Sequence, residues 1–98
     1  MARSVRFLPL AHLEVIEARD WYQLRSHALG EAFVLEIDRQ VERIADNPVG
    51  FPIMLADVRR ARLRRFPYAL FYRVVEATSF VLACFHASRD PKRWQERV

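Results

Sequence analysis

Polar and apolar positions alternate in Ser4-Val-Arg-Phe7, which predicts a short first strand. From Pro9 to about Arg25 the spacing becomes helical. Pro9 suits a first helical turn, where its missing N–H costs nothing. Two apolar stripes run along this helix. One is Ala11, Val15, Ala18 and Tyr22. The other is Leu10, Leu13, Trp21 and Leu24, with Ile16 beside it and Glu17 and Asp20 intruding. A helix needs one stripe for its own core, so the second suggests a further contact, either inside the fold or with a partner. Ser26-His-Ala-Leu-Gly30 breaks the pattern. A second helix then runs to about Asp46, with Phe33, Ile37, Val41 and Ile44 as its buried line, broadened by Val34 and Ala45. Glu36, Arg39, Glu42 and Arg43 lie outside that line. Asn47-Pro48 ends the helix. The short link predicts an antiparallel helical hairpin.

Val49 to Leu55 reads as loop. Three strands follow, at about Val58–Phe66, Tyr68–Glu76 and Phe80–His86, with Pro67 between the first two and Ala77-Thr-Ser79 as a turn. Asp90-Pro91 then opens a terminal helix over Lys92–Val98. The order β-α-α-β-β-β-α predicts an α+β fold. A small antiparallel sheet carries the helical hairpin on one face and leaves the other face open. Strand phase puts Arg60, Arg62 and Arg64 on one face. Ala61 and Leu63 fall on the other, flanked by Arg59 and Arg65. The apolar pair points to the helices, so the arginines line the open face. Tyr72 from the middle strand is a candidate companion, as are His86, Arg89, Arg93 and Trp94 from the end of the last strand and the C-terminal segment. Guanidinium forks and aromatic rings on a concave sheet suit a nucleic acid, and the arginines alone would suit an acidic peptide.

Charge sharpens this picture. The 98 residues carry a net +4, but unevenly. Positions 1–56 hold six Arg against eight acids, whereas 57–98 hold nine Arg and Lys92 against four acids. Six Arg and no acid fall between Asp57 and Glu76. One half of the fold therefore carries a positive field that draws an anionic partner. Length predicts a single domain over 1–98, and an apolar content of 52% is too high for a disordered chain. The longest apolar run, Phe80–Phe85, is far too short to span a bilayer. Arg3 and Arg6 interrupt any secretory signal, and the lone Cys84 forms no internal disulfide, so a cytoplasmic location is expected.

Other chemistries find little support. Gly30 and Gly50 are the only glycines, which leaves no phosphate loop. His12, His27, His86 and Cys84 lack metal-ligand spacing, so neither a metal nor a cofactor is expected. Cys84 sits in an apolar strand and reads as packing. His86 is either a general base or a strand-end structural residue.

Several segments resemble the RelE/ParE superfamily of type II toxins, in particular members labelled plasmid stabilisation proteins. They are Val5-Arg-Phe-Leu-Pro9, Trp21-Tyr22, Phe33…Ile37…Ile44-Ala-Asp-Asn-Pro48, Phe51-Pro52, the run Val58 to Val74, and Phe85-His-Ala-Ser-Arg-Asp-Pro91 with Trp94. The resemblance implies the β-α-α-β-β-β-α fold and a growth-inhibiting toxin neutralised by a cognate antitoxin. Leu10, Leu13, Trp21 and Leu24, with Arg59 and Arg65, would contact that antitoxin. It also implies two kinds of target. Gyrase-poisoning members bind DNA gyrase without hydrolysis, and Arg60, Arg62, Arg64, Tyr72, Arg89, Arg93 and Trp94 would form that surface. Ribosome-dependent endoribonucleases cut mRNA without metal, and here Arg60, Arg62, Arg73, His86 and Arg89 would serve. Ala69 stands where nuclease members carry an arginine. Trp94 and Gln95 stand where several carry a catalytic tyrosine or histidine. A target-binding toxin is therefore the first expectation and a nuclease the second. A degenerate member that binds only its antitoxin is the third.

Overall fold

The structure, a computed structural model, describes residues 4–98. Arg3 lies outside the described residues. The chain runs β1 (Ser4–Phe7), α1 (Pro9–Arg25), α2 (His27–Asp46), β2 (Ile53–Leu55), β3 (Val58–Arg62), β4 (Tyr68–Val75), β5 (Thr78–His86) and α3 (Lys92–Gln95). The five strands form one sheet in the order β1-β5-β4-β3-β2. All pairs are antiparallel except β1 with β5, which is parallel. The first strand made and the last thus lie side by side, and the helical hairpin carries the chain from β1 to β2 at the opposite edge of the sheet.

The α+β class and both long helices match the sequence expectation. Five boundaries differ. Ser26 alone separates the helices, and α2 starts at His27 rather than after Gly30. Gly30 is instead where the hairpin closes most tightly: a Cβ there would lie 2.8 Å from that of Gln23. Ile53–Leu55, read as loop, is an edge strand on β3. β3 ends at Arg62, because Leu63 turns its N–H to the carbonyl of Tyr68 and Arg65 adopts φ 70°. The β4–β5 turn lies at Glu76 and Ala77, with Glu76 at φ 56°. α3 is a single turn, and the Asp90 carboxylate accepts the Lys92 N–H at 3.0 Å.

The main core lies between the hairpin and the sheet. Ala11 and Ala18 of α1 and Phe33, Ile37 and Ile44 of α2 pack on Ala61, Leu70, Tyr72, Val81 and Cys84. Tyr22, Phe33, Phe66 and Tyr68 form a knot of rings with centroids 4.9–6.3 Å apart. Glu36, which falls outside the apolar line of α2, is nevertheless buried. Its carboxylate accepts the Arg64 backbone N–H, freed where β3 ends, and a Gln40 side-chain N–H at 3.2 Å. A buried polar group is tolerable when bonded in this way. Val34, placed in the buried line by its spacing, is instead exposed.

The opposite sheet face is only partly open. The β4–β5 register shifts at Phe71/Tyr72, so Leu82 is an extra residue on β5, and both Leu82 and Ala83 join this face. There they pack with Val58, Ala69, Phe71, Phe85 and Trp94 in a second, smaller cluster. Trp94 of α3 is 3% exposed and stacks on Phe71 with centroids 4.1 Å apart.

Candidate functional site

Beside the Trp94–Phe71 stack lies a cleft of about 470 Å³. β3 supplies Arg60 and Arg62, which pair with Phe71 and Ala69 of β4 and so stand on the face away from the hairpin. The β3–β4 turn supplies Phe66 and Pro67, β5 supplies Phe85 and the edge of His86, and the loop after β5 supplies Arg89. Among the described residues no carboxylate lines the cleft, and none forms an ion pair with Arg60, Arg62 or Arg89. The Nε of Arg60 is buried and has no hydrogen-bond partner among the described residues. Three like charges converge on apolar walls, an arrangement that favours an anionic ligand.

The structure thus brings Arg60, Arg62, His86, Arg89 and Trp94 together and separates the other candidates from them. Tyr72 is fully buried on the hairpin side, where its hydroxyl donates to the carbonyl of Pro48. Burial pushes its pKa up to about 12. It offers nothing to a target, because Arg59↔Tyr72 and Ala61↔Leu70 pairing puts Leu70 and Tyr72 on the same side as Ala61. Arg64 follows the end of β3 and leaves the row begun by Arg60 and Arg62. Arg73 shares the cleft's side of the sheet but not its place. It binds Asp57 across the β2–β3 turn at 2.8 Å, and this hydrogen bond holds the Asp57 carboxyl below its ordinary range. Arg93 is exposed on α3 and does not line the cleft.

His86 pairs with Tyr68 at the end of the sheet, with ring centroids 4.9 Å apart. Its Nδ1 accepts the Ser88 backbone N–H at 3.0 Å and lies 2.7 Å from the Ser88 hydroxyl. A nitrogen that accepts an N–H carries no proton, so the neutral ring holds its proton on Nε2. The nitrogen that could accept a proton, Nδ1, is therefore the one already engaged by Ser88. Cys84 is buried, and burial, helped by the charge of Glu14, pushes its thiol up to about 12. It is a packing residue, as its apolar surroundings suggest.

The second stripe of α1 is exposed. Leu10, Leu13 and Trp21 are each about half exposed, and Leu24 is 87% exposed. The Arg25 guanidinium lies 3.3 Å from the Trp21 ring centroid, a cation–π contact. A groove beside this stripe, lined by Glu17, Trp21 and Tyr68, reaches Arg89, so Arg89 borders both it and the cleft. Arg59 is not free for a partner, because it donates to the carbonyls of Val49 and Phe51 and secures the loop before β2. Arg65 is exposed in the β3–β4 turn.

Sequence reasoning missed the clip that closes the bare half of β5. β1 reaches only as far as Val81. Beyond it, Glu14 of α1 accepts the Cys84 N–H at 3.1 Å, and Arg97 donates to the Leu82 carbonyl at 3.0 Å. The two side chains bind each other through two contacts of 2.8 and 2.9 Å. This hydrogen bonding raises the pKa of Arg97 further. Nothing in the spacing of residues 14 and 97 announces the pair.

The two-layer α+β fold with an acid-free arginine cleft defines a small basic binding domain. The family model described as ParE toxin of type II toxin–antitoxin system, parDE, matches residues 5–91. The chain belongs to the ParE toxin family and is the toxin component of such a system, whose partner is a cognate antitoxin. A solved structure titled "Chromosomal ParDE TA system from P. aeruginosa" shares the fold, with a TM-score of 0.75 at 20% identity. The match covers 88% of this chain and 97% of that one. No curated protein sequence matches. Among the described residues no helix is long and apolar enough to cross a membrane.

Proposed function

We propose that this toxin inhibits growth by binding a macromolecular target, DNA gyrase, through the arginine cleft, with no hydrolytic chemistry of its own. The observation that carries this reading is the make-up of the cleft. Three guanidiniums with no ion pair among the described residues line it, while His86 at its edge keeps Nδ1 engaged with Ser88. Charge for binding is present, whereas the His86 nitrogen able to take a proton is engaged by Ser88, two residues along its own loop. The cognate antitoxin docks on the exposed stripe of α1, Leu10, Leu13, Trp21 and Leu24, within reach of Arg89. The protein works in the cytoplasm, where gyrase is found.

Purified toxin is expected to inhibit supercoiling by gyrase and to leave ribosome-programmed mRNA intact. Cleavage of the mRNA with no effect on gyrase would overturn the reading. The cluster of Arg60, Arg62, His86 and Arg89 favours a second reading, a metal-independent endoribonuclease in which an arginine stabilises the charge of the cleaved phosphodiester. In that case Arg60→Ala and Arg89→Ala would abolish cleavage. A toxin that does neither, and does not slow growth without its antitoxin, would be a degenerate member.

A further inference from the structure

We infer that the antitoxin anchors an acidic side chain in a second pocket, where the end of α1 meets the end of β5, and neutralises the toxin by taking Arg89 from the cleft. The inference rests on the antitoxin docking on the α1 stripe and the target binding in the cleft, and names the residue for which the two compete. The pocket, about 270 Å³, is lined by Trp21, Tyr22, Tyr68, His86, Ser88 and Arg89. Trp21, Ser88 and Arg89 are exposed, and Tyr22, Tyr68 and His86 are half-buried, so a partner reaches the pocket from solvent.

The rings form a continuous wall. Tyr22 meets Trp21 and Tyr68 with centroids 5.0 and 6.3 Å away, and Tyr68 meets His86 at 4.9 Å. The polar groups along this wall suit an anion. Arg89 brings a positive charge with no ion pair among the described residues. His86 keeps its proton on Nε2, because Nδ1 accepts the Ser88 N–H. Burial raises the pKa of Tyr22 and Tyr68, so both phenols stay protonated and able to donate. Among the described residues no carboxylate lines the pocket, and Glu17 lines the adjoining groove instead, so a partner's acid belongs at the His86–Ser88 end. The volume lies below the range of small-molecule sites and suits a single side chain. Trp21 belongs both to the pocket and to the exposed stripe with Leu13 and Leu24, so one segment covers both. An acid flanked by apolar residues fits that combined surface. Arg89 and His86 also line the cleft. A carboxylate held by Arg89 removes one of the cleft's three guanidiniums, so antitoxin and target exclude each other at one side chain.

The test uses the full toxin and its cognate antitoxin, with affinity measured by calorimetry across a salt series. Arg89→Gln is expected to weaken antitoxin binding roughly tenfold and to flatten its salt dependence. Arg39→Gln, at an exposed position of α2 that lines neither cavity, is expected to change neither. Each Asp and Glu of the antitoxin is then changed to its amide and measured against both the parent and the Arg89→Gln toxin. At one position the change is expected to weaken binding to the parent roughly tenfold and binding to the Arg89→Gln toxin less than about twofold. Expressed in excess beside the parent toxin, that antitoxin variant is expected to leave growth arrested. A thermal melt of each variant controls for folding.

Four results would overturn the inference. The first is full antitoxin affinity in Arg89→Gln, which would leave Arg89 to the target alone. The second is an equal loss in Arg39→Gln. The third is an antitoxin in which no acid couples to Arg89. The fourth is full rescue of growth by the antitoxin variant that lacks the coupled acid. Leu24→Ser, on the stripe, keeps the inference and the docking reading apart. Weaker binding in Leu24→Ser but not in Arg89→Gln would keep the stripe and remove the pocket. Weaker binding in Arg89→Gln but not in Leu24→Ser would do the reverse.

Discussion

Arg59 and Arg60 are neighbours in β3 with opposite fates, and the difference between them is the difference between the two faces of the sheet. Arg59 points to the hairpin side and is spent on the carbonyls of Val49 and Phe51. Arg60 points to the cleft, and its Nε has no partner among the described residues. The same contrast holds throughout. On the hairpin side the polar groups are satisfied: Glu36 takes the Arg64 N–H and Tyr72 gives its hydroxyl to Pro48. On the cleft side the core is smaller, one helical turn holds it through Trp94, and the guanidiniums of Arg60, Arg62 and Arg89 have no ion pair among the described residues. One face is built for stability and the other retains unsatisfied charge.

This division can be tested by substitution. Phe33→Ala removes the centre of the ring knot on the hairpin side and is expected to cost about 3–5 kcal/mol, read from urea unfolding. A loss below about 1 kcal/mol would show that the hairpin face is not the main store of stability. Glu14→Ala strips the bare half of β5 of its acceptor and leaves Arg97 without its carboxylate. It is expected to cost about 1–3 kcal/mol and to speed hydrogen exchange at the Cys84 amide. Unchanged exchange would deny the clip its role. Smallest in stability is Arg62→Gln on the cleft face, expected to stay within about 0.5 kcal/mol of the parent while growth inhibition falls. A large loss of stability there would erase the distinction between the faces.

How far the sequence reveals this division depends on distance along the chain. The helices are legible because their information is local: Pro9, the spacing of Phe33, Ile37 and Ile44, and Asn47-Pro48 lie within the elements they specify. The alternation of Arg60 and Arg62 against Ala61 also holds, since strand phase is local too. Tyr72 defies the sequence expectation because its side is set by pairing with Arg59, which no single strand contains. Arg73 lies on the cleft's side by phase, yet its place along the sheet and its hold on Asp57 come from the turn before β3. Ile53–Leu55 escapes notice because three residues carry too little alternation to count. Glu36 reads as a surface residue until the end of β3 supplies an N–H for it.

The placement of β5 sets the order of events on the ribosome. β5 lies between β1 and β4, so the strand made first has no neighbour until the strand made last emerges. Glu14 waits longer still, since Arg97 comes 83 residues after it. Contacts of such separation form late and pay their loop-closure entropy before any return. A nascent chain of this toxin therefore presents helices without a finished sheet until β5 has emerged. The arginine cleft, whose walls include Phe85 and Arg89, does not exist until then. An antitoxin already made has that whole interval in which to be waiting.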